Sequence, residues 1–389
     1  MKRLKTLALF ALAALLCACA APLTPAGVDD ALIYDFAEDD QYYFHTPDGH
    51  ATLAQSEDAL FFFKSMRFLM RFDKQTGETR ALCDKQGCPH DAQAGPQRES
   101  ACQAFFPYTF NTLKYHKGYL YFFTDADNEA AAPSRQITRV PIAQPSAAQV
   151  LPLDTAHGTP DAFFVHRGYL YAALTHNTLV KYDLNDLAAP PKTILSAPGM
   201  RMAALSNAHT MGPYIVLTRP ATSGIVKDDT LACIDTRSDT LYAFDVPPGH
   251  PIGFALINQG VVFNVKNGAY YSPALYSYQG ELLHSYSELK AGAPFLIYCG
   301  PGDALVFSTT FPSQPSETTP PWRLIYYSGT TAVGEAALPT PQRSIYGIDT
   351  EYLYFAGLND PFGDILRLPL GDIGAPSPSP QPLFTYADS

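Results

Sequence analysis

The amino-acid sequence predicts an all-β fold, a β-propeller of seven four-stranded blades, with six and eight blades as the alternatives. Three observations carry this. A short apolar unit recurs, as Tyr119-Leu120-Tyr121-Phe122-Phe123, Tyr169-Leu170-Tyr171-Ala172-Ala173 and Tyr352-Leu353-Tyr354-Phe355-Ala356, with degenerate copies at Ala59-Leu60-Phe61-Phe62, Tyr214-Ile215-Val216, Val261-Val262-Phe263 and Leu305-Val306-Phe307. With Leu60, Leu120, Leu170, Ile215, Val262, Val306 and Leu353 taken as equivalent, the intervals are 60, 50, 45, 47, 44 and 47 residues, the period of a propeller blade. No run after residue 20 sustains helical periodicity.

Each unit divides into four strands. In the third, Ala162 to His166, Tyr169 to Leu174, Leu179 to Leu184 and Thr193 to Ser196 are rich in Tyr, Phe, Val, Ile and Leu, and polar or Gly/Pro residues fill the gaps. The seventh reads as Ile345 to Asp349, Tyr352 to Ala356, Ile365 to Leu370 and Leu383 to Tyr386. The second strands are nearly continuous apolar runs, as expected where both faces pack against neighbouring blades. Tyr42 to His45 is expected to be a further strand that pairs with the last blade and closes the ring, leaving no free edge.

The N-terminus begins with Lys2, Arg3 and Lys5 and continues into a ten-residue apolar run, Leu7 to Leu16. This is too short to span a membrane and fits a secretory signal. Leu16-Cys17-Ala18-Cys19 resembles a bacterial lipobox, which implies a signal peptide at residues 1–18 and lipidation of Cys19. Ordinary cleavage after Ala20 or Ala21 is the alternative. Residues 19–27 then form a lipidated tether, and 28–389 the propeller domain, with a Cys-rich loop at 83–107. The expected location is the extracytoplasmic side of the cytoplasmic membrane, with the membrane as a partner through the anchor.

With 26 basic against 37 acidic residues the formal charge is −11, and loss of the signal-peptide bases makes it more acidic. That argues against nucleic acid or anionic lipid as a general electrostatic partner. The 47% hydrophobic content suffices for one large core.

Long connections at Asp84 to Pro107, Thr124 to Gln136, Thr218 to Thr230 and Ser308 to Pro321 are expected on one rim. In a blade, the second-to-third and blade-to-blade connections open on the same face, where propellers usually bind. Asp125 and Asp127, with Asn128 and Glu129, resemble a calcium loop but lack Gly at the sixth position (Ala130) and Glu at the twelfth (Gln136), so a solvated acidic loop is the better reading. Trp322, the single tryptophan, follows Pro320-Pro321 and is either a ligand-face aromatic or packing for its own loop. His116 and His166 recur in His-basic-Gly turns on the opposite face, where turn chemistry outweighs metal binding.

No nucleophile elbow, zinc-protease helix, phosphate loop or dinucleotide fingerprint is present in the sequence. The expected function is a non-catalytic binding or scaffold module for an envelope or extracellular glycan, peptide or protein. The alternative is a polysaccharide or peptide hydrolase or lyase with carboxylates in the central funnel.

Two features together resemble a group of uncharacterised bacterial surface lipoproteins with propeller domains. One is the Gly-Tyr-Leu-Tyr repeat with third strands ending in Arg71-Phe72-Asp73 and Lys181-Tyr182-Asp183. The other is Cys83-Asp84-Lys85-Gln86-Gly87-Cys88-Pro89-His90-Asp91 with a later Cys102. The group's pattern is Cys-x4-Cys-x-His-Asp with a further Cys within several residues; here the last gap is longer. The resemblance brings no activity with it.

Cys83, Cys88, His90 and Cys102 are expected to form one local cross-link pinning the first blade-to-blade loop. Cys83 is expected to end a strand, Thr79 to Cys83. A disulfide is favoured by the oxidising compartment but leaves an odd thiol. A Cys3His site for zinc uses all four residues, and free thiols are the third alternative. Cys233 and Cys299 lie in apolar strand contexts and read as buried free thiols.

Overall fold

The recurrent units pair as seven antiparallel sheets of four strands in the computed structural model, each built from strands consecutive in sequence. The blades span residues 53–81, 114–150, 160–196, 209–243, 254–285, 296–338 and 345–384, so the chain is a seven-bladed β-propeller. The structure describes residues 35–44, 53–64, 67–90, 102–106, 109, 112–125, 135–153, 158–174, 178–196, 209–219, 230–243, 254–278, 280–308, 322–338, 345–356, 365–376 and 378–384. Cys19 and Asp127 lie outside them.

Local chemistry explains the repeat. His-Lys-Gly and His-Arg-Gly make first-to-second-strand turns in which both central residues take positive φ: Lys117 at 46° and Gly118 at 81°, Arg167 at 50° and Gly168 at 80°. This tight turn matches the twist of the flanking strands. The second strands that follow are buried on both faces, with Leu120 to Phe123 and Leu170 to Leu174 each at most 1% exposed. Aromatic edges join neighbouring blades, Phe63 to Phe122 at 4.9 Å and Phe123 to Phe163 at 4.8 Å. The Asp that ends several third strands is a turn acceptor. Asp73 takes the N–H groups of Gln75 and Thr76, Asp183 that of Asn185, and Asp235 that of Arg237.

Pairing also corrects the repeat alignment by one residue in two blades. Leu60, Leu120, Leu170, Ile215 and Leu353 lie opposite Gln55, Tyr115, Val165, Thr210 and Ile348. In the fifth and sixth blades the corresponding residues are Val261, opposite Leu256, and Leu305, opposite Cys299. Val262 and Val306 sit one position later, on the other face of their strands. The fourth strand of the last blade is Gln381–Phe384.

The ring closes differently from expectation. Tyr42–Phe44 is a short 3₁₀ helix and not a strand. Asp39, Asp40, Gln41, Tyr43 and Phe44 are all at most 3% exposed, packed among the first strands that surround the axis. The Gln41 side-chain amide takes both backbone groups of Gln55, so one side chain does the work of a strand partner for the first blade. Gln55 Nε2 donates to the Tyr43 hydroxyl at 3.0 Å. On the seventh blade, Gly347 leaves the space that the Tyr43 carbonyl and Phe44 occupy, and Phe44 meets the edge of Tyr354 at 5.9 Å. The N-terminal segment thus touches both sides of the seam between the first and last blades. Arg367 of the seventh blade lies over Phe72 of the first, 5.7 Å from its centroid, as a second tie.

A Cβ at Gly347 would fall 2.4 Å from both the Tyr43 carbonyl oxygen and the Phe44 ring. Gly347→Ala is therefore expected to lower stability by about 1–3 kcal/mol in urea denaturation. Gly371→Ala, where an added Cβ meets nothing within 4 Å, is the control and should move it by no more than about 0.5 kcal/mol. Equal effects at the two glycines would contradict this packing.

Candidate functional site

The first blade-to-blade connection leaves the sheet after the short strand Thr79–Ala81 and returns at Ala104. Cys83 lies beyond the strand and does not end it, because the ladder finishes at Leu82, whose N–H donates to the Leu69 carbonyl. The returning chain then occupies the same edge. Leu69 N–H donates to Ala104, Phe106 N–H donates to Arg67, and Phe68 bridges Phe105. The excursion starts and ends on one strand, which brings Cys83 and Cys102 together. Gly87 at φ 71° and His90 at φ 51° bend the intervening chain so that Cys88 and His90 turn back on them. Beneath, Phe106 packs edge-on against Phe63 at 6.5 Å and Phe122 at 4.8 Å, tying the returning segment to the first two blades.

The ligand atoms of Cys83, Cys88, His90 and Cys102 all lie within 4.8 Å of one another, and Cys102 Sγ is 3.5 Å from His90 Nδ1. All three thiols are free and partly exposed. Burial alone would raise the Cys88 thiol, but the His90 backbone hydrogen bond and those from Cys102 and Cys83 outweigh it, and the thiol lies below its ordinary value. Burial pushes Cys102 up to about 12, with hydrogen bonding to Cys88 and the charges of Cys83 and Cys88 adding to it. Thiols that share protons in this way are readily deprotonated by a cation placed among them. The four residues could hold a metal ion. Tetrahedral bonds of about 2.3 Å to sulfur and about 2.0 Å to nitrogen would set ligand atoms about 3.5–3.8 Å apart.

The remaining candidates do not join this cluster. Trp322 is the first residue of the strand Trp322–Ser328, paired with Leu338, and not a loop residue. Asp125 ends the strand Tyr119–Asp125, opposite Arg135. Cys233 and Cys299 are buried on separate blades, and burial pushes each thiol up to about 12.

The opposite, turn-bearing end of the channel holds the group that sequence reasoning missed. Asp39 accepts from Arg167 Nε at 2.7 Å, and Asp40 pairs with Lys114 at 3.4 Å with both side chains almost fully buried. Val165 N–H donates to Asp40, and the Thr210 hydroxyl donates to the Asp40 carbonyl. His166 is more than a turn residue. Its Nδ1 accepts the Asp40 N–H at 3.3 Å, so Nε2 carries the proton and donates to the Gly212 carbonyl at 2.9 Å. His116 ends the neighbouring first strand and is also buried. Only the density of charged residues at 38–40 hinted at this cluster, because every partner is distant in sequence.

No family model matches the chain, and no curated protein matches it. Solved structures share the fold at low identity. A complex of KlAtg21 with the coiled-coil of AgAtg16 aligns at TM-score 0.51 and 9% identity, over 85% of this chain and 98% of that one. PorZ, a bacterial surface component of the type-IX secretion system of Porphyromonas gingivalis, aligns at 0.48 and 11%, over 88% of this chain and 39% of PorZ. The β-propeller domain of the Trilobed protease from Pyrococcus furiosus aligns at 0.43 and 11%, over 71% and 84%. These likenesses bear on fold alone.

The buried imidazoles fix a pH dependence. Burial holds His166 and His209 down to about 3, against 6.5 for the free group. The unfolded chain therefore binds protons that the folded chain excludes, and stability falls as pH drops from about 6.5 toward 3. Each imidazole should remove about 1.4 kcal/mol per pH unit within that window. Asp39, raised by burial despite Arg167, opposes this only near and above the ordinary carboxylate range. Urea denaturation at pH 7 and pH 5 should show a loss of several kcal/mol; equal stabilities would contradict the buried neutral imidazoles.

Proposed function

We propose that the chain is a lipoprotein, held on the extracytoplasmic side of the cytoplasmic membrane through Cys19. Its propeller is a non-catalytic binding or scaffold module for a glycan, peptide or envelope protein. The loop face is the binding surface, and a zinc ion on Cys83, Cys88, His90 and Cys102 fixes its rim at the first blade.

The observation that carries the reading is the convergence of four zinc-type ligands on one blade-to-blade connection. Zinc would supply a closed, structural cross-link there, since four protein ligands leave no open position for substrate. The two channel carboxylates described above, Asp39 and Asp40, favour binding over hydrolysis. Asp39 and Asp40 are paired with Arg167 and Lys114 and serve the fold, whereas a funnel enzyme needs a carboxylate free to take and give protons. The acidic chain also suits a neutral or basic ligand better than a polyanion.

Metal analysis of protein purified without chelator tests the rim, and labelling of cells with a palmitate analogue tests the anchor. The expected results are one zinc per chain, lost in Cys88→Ser and in His90→Ala, and label on the wild type but not on Cys19→Ala. A metal-free protein with freely alkylated Cys83, Cys88 and Cys102 would overturn the first, and equal labelling would overturn the second.

A further inference from the structure

Three thiols within reach of one another are more than a tetrahedral site needs to be stable, because any two of them can also pair as a disulfide. Buried, single-purpose zinc sites hide their sulfurs; here Cys83, Cys88 and Cys102 are all partly exposed. Cys88 is within hydrogen-bonding reach of both other sulfurs, and it sits on the bend between Gly87 and His90. Cys83 and Cys102 are instead anchored beside ladder positions, at Leu82 and Ala104. The cluster therefore has one thiol on a bend between two fixed ones.

We propose that this centre is a thiol–disulfide switch, in which a small or protein disulfide oxidises Cys88 with one of its two neighbours and releases the metal. The inference rests on the zinc reading above. In the first step Cys88 Sγ attacks one sulfur of the oxidant, the oxidant's S–S bond breaks, and one thiolate leaves. In the second, Cys83 or Cys102 attacks the Cys88 sulfur of the mixed disulfide and expels the second thiolate. Two electrons pass from the protein to the oxidant, which ends as two thiols once the thiolates take up protons from solvent. Zinc is left with one thiolate and His90, half of its ligands, and dissociates as Zn²⁺.

The structure also gives the switch an output. In the zinc form a single centre joins the exit of the excursion, Cys83, to its return, Cys102, and so holds Ala104 and Phe106 on the edge of the first blade. A Cys83–Cys88 disulfide frees the return, and a Cys88–Cys102 disulfide ties it only to the bend at Cys88, so neither keeps Cys83 and Cys102 on one centre. Phe106, wedged against Phe63 and Phe122, is the residue whose seating then changes. The rim would thus be ordered in the reduced, zinc-bound state and loosened in the oxidised one.

The test uses the full chain, first reduced and loaded with zinc, then titrated with oxidised glutathione. A chromogenic zinc indicator, thiol counting by alkylation and peptide mapping are followed together. The expected result is release of one zinc per chain in step with the loss of two thiols, a mapped disulfide that includes Cys88, and faster hydrogen exchange at Phe106. Reductant plus zinc should reverse all four. Zinc retained against excess oxidant, zinc released with all three thiols still alkylated, or a Cys83–Cys102 disulfide would each overturn the switch. A reduced protein that takes up no zinc is a separate result, which overturns the metal reading and the switch with it.

Discussion

The buried contact between the N-terminal segment and the channel wall is what the rest of the ring depends on. Each blade is built from four strands consecutive in sequence, and among the described residues no strand from before the first blade is woven into the last blade. A ring built in this way has a seam between its first and last blades, and backbone pairing does not close it. Residues 39–44 close it instead, with Gln41 and Tyr43 on the first blade and Phe44 seated over Gly347 on the seventh. The same segment reaches the second, third and fourth blades through Lys114, Val165, His166 and Thr210. A buried Lys–Asp pair adds little net stability, since desolvation offsets most of the attraction. Its value is specificity: Asp40 is acceptable only where Lys114, Val165 and His166 meet it, and either charge left alone in that site would be costly.

This placement divides the molecule into two ends with different chemistry. The turn end is filled and charge-balanced by the chain itself, and its imidazoles are held neutral by burial. The loop end carries the one group of metal-type ligands found among the described residues. Order at the two ends has different origins. At the turn end it comes from burial and non-local hydrogen bonds. At the loop end the described part of the excursion is held by its edge pairing, by the Asp84 N–H donating to Gln103, and by ring contacts of Phe105 and Phe106, and a cross-link at the cysteines would add to these.

Much of this was legible in the sequence, for identifiable reasons. The apolar second strands, with the His-Arg-Gly turn in the third unit, are local signals, so blades three and seven were read almost strand for strand. In blades five and six the turn signature is absent, and the copies at Val262 and Val306 slipped by one residue because a continuous apolar run has no internal register mark. The cysteine cluster was legible as spacing, since its ligands sit on a short connection. The strand boundary at Cys83 was not, because the edge is shared with Ala104 to Phe106 from beyond the excursion. Tyr42 to His45 was misread for a related reason. Aromatic residues in a row resemble a strand, but what fixes Tyr43 and Phe44 is the channel, whose walls come from partners as distant in sequence as Gly347 and Tyr354.

Native-state hydrogen exchange over the N-terminal segment tests this account most directly. The N–H of Asp40 donates to His166, and that of Phe44 to the Gln41 carbonyl, in a buried segment. Both amides should therefore exchange only through global unfolding, at the slow rate of the first strands Lys114–His116 and Pro160–His166 that enclose them. Exchange at the rate of an exposed loop, with the blades still protected, would show that the segment does not close the ring.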